Sequence, residues 1–134
     1  MEKTKITEKD CGYAEDLFAL LKQSIGEEEH HIGNFIETKS EKDLNKLNEA
    51  RKRRTNLMLS GLEAMNVKLE NQEWCILKHI CATAMHIHEL ISRCSMTGWN
   101  EIAKRLSEVY KSLYLSYLDI LGVNEKNISN KSQA

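Results

Sequence analysis

No proline interrupts the 134 residues of this chain. Proline ends or kinks a helix by removing an N–H and clashing with the preceding turn, so its absence lets helices run as far as the apolar pattern supports them. That pattern is long. Ala14, Leu17, Leu21, Ile25, Ile32 and Phe35, with Phe18 and Ile36 beside them, recur at three-and-four spacing and predict a first helix over residues 12–38. Thr7 or Asp10 offers a short oxygen acceptor to cap it. Ser40-Glu41-Lys42-Asp43 resembles a capping box with Asp in place of Glu or Gln, opening a second helix with inward positions Leu44, Leu47, Met58, Leu62 and Met65.

Asn71 is a good cap for a third helix, which carries Trp74, Leu77, Ile80, Cys81, Ala84, Ile87, Ile91 and Cys94 and breaks at Ser95 to Gly98. A fourth follows with Trp99, Ile102, Leu106, Val109, Tyr110, Leu113, Tyr117 and Ile120 on one side, and Gly122 is its natural stop. Short connections force consecutive helices to be antiparallel neighbours. The expected fold is therefore all-α, one antiparallel up-down-up-down four-helix bundle over residues 1–123. Residues 124–134 are polar and aperiodic and read as a C-terminal tail.

Charge narrows the partners. Lys and Arg number 19 against 20 Asp and Glu, a formal net charge of -1, so no global field draws the chain to nucleic acid or to an anionic membrane. The start, Met1-Glu2-Lys3-Thr4-Lys5, is charged with no apolar stretch behind it, and no apolar run approaches the ~18 residues of a membrane span. A cytoplasmic protein is expected. Cys11, Cys75, Cys81 and Cys94 show no CxxC spacing, and three of them share one helix, so neither a zinc knuckle nor a disulfide framework is indicated.

The informative residues are polar ones on apolar faces. Glu28 falls near the middle of the first helix's apolar face, in the seam Ala14, Leu17, Leu21, Ser24, Glu28, His31, Phe35. On the second helix Arg51 is in line with Leu44, Leu47, Met58 and Leu62, with Arg54 at the edge. A turn near residues 39 and 40 brings antiparallel positions whose numbers sum to about 79 to one level, which pairs Glu28 with Arg51. His88, or His86, comes close to the same layer, with Tyr110 about one turn away. Glu28, His31, Arg51 and His88, with Arg54 and Tyr110 outside them, form the candidate site, and its simplest role is an ion-pair network that fixes helix register.

Two other roles compete. Glu28-x-x-His31 places a carboxylate and an imidazole on one helix face and resembles half of the ferritin-like di-iron carboxylate motif. The third helix offers only the reversed His86-x-x-Glu89, and the second and fourth put no carboxylate on their inner faces. The resemblance thus points at most to a single divalent metal held by Glu28, His31 and His88. Arg51 opposes even that, since a cation ~5 Å from a dication costs ~6–7 kcal/mol at an effective dielectric near 20. The alternative is a pocket in which arginine, histidines and the Tyr110 hydroxyl hold a small carboxylate or phosphate, with or without catalysis.

Three further patterns complete the reading. Cys75, His79 and His86 line one edge of the third helix, where Cys and His four apart could chelate a metal but no third ligand follows, and are expected to form a helix–helix boundary or a partly exposed face. Helical phase splits Arg51-Lys52-Arg53-Arg54, sending Lys52 and Arg53 outward, so the run makes no single basic patch for nucleic acid. Ala19, Gly26 and Gly33 form a seven-residue series of small side chains away from the expected core, and Leu115 and Leu118 also lie off the inner face of the fourth helix. Small residues let a second backbone approach closely, which makes a homodimer the expected assembly. The expected function is structural or interaction-mediating.

Overall fold

The computed structural model describes the backbone of residues 8–123 and the side chains of residues 12–123. Four helices follow one another, α1 (Glu8–Thr38), α2 (Glu41–Ala64), α3 (Asn71–Thr97) and α4 (Asn100–Ile120). They form an up-down four-helix bundle: α1 packs along α2, α3 along α4, and the two hairpins meet chiefly through α1 and α3. At 31 residues α1 is about 46 Å long. Asp10 lies inside α1 and does not cap it. Thr7, like the expected tail over residues 124–134, lies outside the described residues.

Each connection is fixed by local chemistry. Lys39 adopts a left-handed φ of 53° to end α1, and Ser40 then caps α2, its hydroxyl accepting from the Asp43 N–H at 3.2 Å. The Asp43 carboxylate does not reach back to the Ser40 N–H, as a full capping box requires. It accepts instead from the hydroxyls of Ser40 and Thr38, while the Ser40 N–H donates to Thr38 Oγ1. α2 ends with Asn66 at φ 57° and the Val67 N–H returning to the Leu62 carbonyl at 2.9 Å. The cap of α3 is Glu70 and not Asn71: Glu70 and Glu73 satisfy each other's backbone N–H groups in a reciprocal box. Gly98 and Gly122, both at φ 77°, close α3 and α4.

These bonds predict an acid response. The Thr38 and Ser40 hydroxyls hold the Asp43 carboxyl below its usual value of 3.8. A depressed folded-state value stabilises the fold above the unfolded value and ceases to do so as pH falls through the lower one. Asp43→Ala is therefore expected to lower the urea midpoint at neutral pH, with a deficit that narrows as pH drops below 3.8. A deficit independent of pH would locate Asp43's contribution elsewhere.

The packed core occupies one end of the bundle. It is built from Leu17, Phe18, Leu21 and Ile25 of α1, Met58, Leu62 and Met65 of α2, Leu77, Cys81, Ala84 and Met85 of α3, and Tyr117 and Leu118 of α4, closed by Leu121 and Val123. Tyr117 is fully buried and donates its hydroxyl to the Ala14 carbonyl at 2.7 Å, which ties α4 to α1. Phe18 lies edge-on to Tyr110 and Tyr114 and at a tilt to Tyr117. Gly61 explains the close approach of α1 and α2, because a Cβ there would lie 2.6 Å from Leu17 Cδ1.

The other end is open. Ile32, Leu44, Trp99, Ile102 and Val109, all expected in the core, are exposed. The two hairpins touch chiefly through α1 and α3, and in these halves of the helices only small side chains such as Ala50 and Cys94 are fully covered. Leu118 moves in the opposite sense: expected off the inner face, it is buried against the core.

Candidate functional site

Between the packed and open ends lies a layer of charge. Glu28 faces inward as expected, but its partner is Arg54 and not Arg51: Arg54 Nε donates to Glu28 Oε2 at 3.0 Å and Nη2 to Oε1 at 3.2 Å. Both side chains are largely buried, at 11% and 15% exposure. Arg51 is exposed. Arg51 and Arg54 lie near one level along the axis, and side-chain direction decides which of them meets Glu28. Helical side chains lean toward their own N-terminus. In an antiparallel pair Glu28 therefore leans toward higher numbers on α2, where Arg54 leans back to meet it and Arg51 leans away. The buried stripe of α2 is Ala50, Arg54, Met58, Leu62, and alanine at its start was too small to reveal the phase.

Two exposed pairs flank this one. Arg53 Nη2 lies 2.7 Å from Glu27 Oε1, a bond that holds the Glu27 carboxyl below its usual range and pushes the Arg53 guanidinium up. His86 Nε2 lies 2.8 Å from Glu29 Oε2 and joins α3 to α1. The three consecutive glutamates thus reach three different places, two on α2 and one on α3.

On the other side of α1, Lys22 donates to the Tyr110 hydroxyl. Its ammonium sits 5.0 Å from the Phe18 ring centre and 4.8 Å from that of Tyr110. His88 is exposed, with its ring 6.4 Å from Tyr110. His31 is half-buried, and its Nδ1 is enclosed with no hydrogen-bond partner. The structure thus joins Glu28 with Arg54, and brings His88 and Tyr110 together around Lys22, a residue that sequence reasoning missed. Lys22 lies one helical turn beyond Phe18, which is the signal that places its stem over the aromatic cluster.

A metal centre from Glu28, His31 and His88 is not assembled. Among the described residues no three His, Cys, Asp or Glu side chains converge to hold an ion. The Glu28 carboxylate is already taken by a bidentate guanidinium. A metal-binding imidazole also normally donates its second ring N–H to an acceptor, and the enclosed Nδ1 of His31 has none. The resemblance to the di-iron motif therefore ends at its four residues. Cys75, His79 and His86 form the exposed edge expected of them. Burial pushes the Cys81 thiol up to about 12, which makes it an inert core residue.

The small-residue series is divided. Gly26 is half-buried and faces Met85 of α3, whose sulfur would lie 3.8 Å from a Cβ added there, and so it serves a contact within the chain. Ala19 and Gly33 are exposed. No helix among the described residues is long and apolar enough to cross a membrane. Comparison of the chain with protein-family models, with curated proteins and with solved structures yields no match in any of the three.

Proposed function

We propose that this protein is a structural, interaction-mediating module that self-associates through the open end of its bundle. One observation carries the reading: at the end of the bundle formed by the α1–α2 and α3–α4 turns a group of large apolar side chains is exposed, beyond the scattered exposed ones such as Leu20, Leu59 and Ile76 at the packed end. Ile36 is 63% exposed, Met96 84% and Trp99 60%, with Leu90, Ile102 and Val109 about half exposed beside them. A tryptophan alone brings ~150–250 Å² to a contact. With five long aliphatic side chains at this exposure, the surface is of the order of the roughly 800 Å² per partner of a standard interface.

Charge favours a second copy as the occupant. A chain of net charge -1 carries no field that selects a strongly acidic or basic partner, and two copies of it do not repel. The expected dimer surface thus moves from the Ala19, Gly26, Gly33 series to the open end. Light scattering is expected to give twice the 15.5 kDa chain mass at micromolar concentration, and Trp99→Glu with Ile102→Glu to return the mass to that of one chain without unfolding it. A mass of one chain throughout, or a dimer indifferent to these two changes, would contradict the proposal.

A further inference from the structure

We infer that the cleft between α1 and α3 binds a small oxyanion, with Lys22 and His31 as its principal donors. The cleft encloses about 390 Å³ and is lined by Lys22, His30 and His31 of α1 and Met85, His88 and Glu89 of α3, among others. That volume suits a small molecule. It opens toward a wider groove of about 730 Å³ that adds Arg93.

Lys22 carries the argument. Its ammonium is fixed by the Tyr110 hydroxyl and two ring faces, and among the described residues it forms no salt bridge. An ammonium so held is preorganised, and its remaining N–H groups are available to an anion. His31 adds a directed donor. His31 lines the cleft, and because a buried N–H without an acceptor is costly, its enclosed Nδ1 favours the tautomer with the proton on Nε2. An imidazole set this way donates to an oxyanion and is poorly prepared to ligate a metal. Of the acids at the cleft, Glu27 is held by Arg53. Glu89 remains as the opposing carboxylate, set against the fixed Lys22 ammonium.

The cleft itself contains none of the exposed apolar side chains assigned to self-association, although the groove it opens into reaches Met96, so the titration is run at a concentration where light scattering gives a single mass. Inorganic phosphate, and acetate in a parallel series, would be titrated into the intact protein at low ionic strength while the histidine ring resonances are followed by NMR. His31 and His88 are expected to shift with saturation, and exposed His79 to stay still. The ligand giving the tighter curve identifies the oxyanion as phosphate or carboxylate. Lys22→Gln is expected to weaken binding at least tenfold. His88→Gln, at an exposed position that leaves the aromatic cluster intact, is expected to weaken it severalfold. Shifts that fail to saturate with either anion, that appear equally at His79, or that persist unchanged in both variants would overturn the inference.

Discussion

Replacing Glu28 by alanine is expected to lower the unfolding free energy by about 2–4 kcal/mol, whereas Arg51→Ala, one turn from the true partner, is expected to change it by about 0.5 kcal/mol or less. The difference arises from what each change leaves behind. Without Glu28 the Arg54 guanidinium stays beside Met58 with its two hydrogen bonds to the carboxylate unmade. Arg51 stands in solvent and loses little. Residual exposure of the pair lets water soften the penalty, which places it below that of a fully enclosed ion pair. Adding Arg54→Met to Glu28→Gln is expected to recover most of the loss, since an apolar side chain of similar length needs no partner. Urea midpoints of the single and double variants measure this. A larger loss from Arg51→Ala than from Glu28→Ala would place the pair wrongly.

Gly61 and Gly33 are expected to respond to alanine with opposite signs. A methyl group at Gly61 would meet Leu17 Cδ1 at 2.6 Å and Cδ2 at 2.8 Å, and Leu17 is only 4% exposed, so the side chain has nowhere to retreat. Overpacking of this kind costs about 1–3 kcal/mol, which exceeds the ~1 kcal/mol that alanine gains over glycine in a helix interior. Gly61→Leu is expected to cost more and to separate α1 from α2. A Cβ added at Gly33 would meet no other part of the fold within 4 Å, and the propensity gain of ~0.5–1 kcal/mol is expected in full. Thermal midpoints of the two alanine variants give the signs directly. Gly33→Ala also separates the two dimer surfaces. A contact built on small residues would be weakened by the added methyl, and one built on Trp99 and Ile102 would not.

Helix number, order and type were legible because period 3.6 ran without a break through all four segments, and the turn at residues 39 and 40 carried its own cap. The inward direction of Glu28 was legible for the same reason. Its partner was not, because position along the axis leaves Arg51 and Arg54 almost equivalent and only the lean of the side chains separates them. Gly61 escaped notice because a missing side chain leaves no mark in an apolar pattern. Lys22 escaped because a lysine beside a core stripe looks like solvent-facing charge until the tyrosine of α4 is known to lie under it.

The open end was the largest divergence. Periodicity records which face of a helix is apolar, and Ile32, Ile102 and Val109 satisfy it as well as Leu21 does. It does not record whether the neighbouring hairpin reaches far enough to cover that face. A sequence selected to meet a second molecule and one selected to meet its own core carry the same stripe.

Amide hydrogen exchange at low and high protein concentration tests most directly whether the open end is where a second copy docks. Slow exchange is expected at both concentrations for the core segments around Leu21, Met58, Cys81 and Tyr117. Residues 32–38, 87–97 and 100–109 are expected to exchange quickly when dilute and to gain protection as concentration rises. Protection of those segments that is the same at both concentrations, or a concentration-dependent gain confined to the core end, would contradict it.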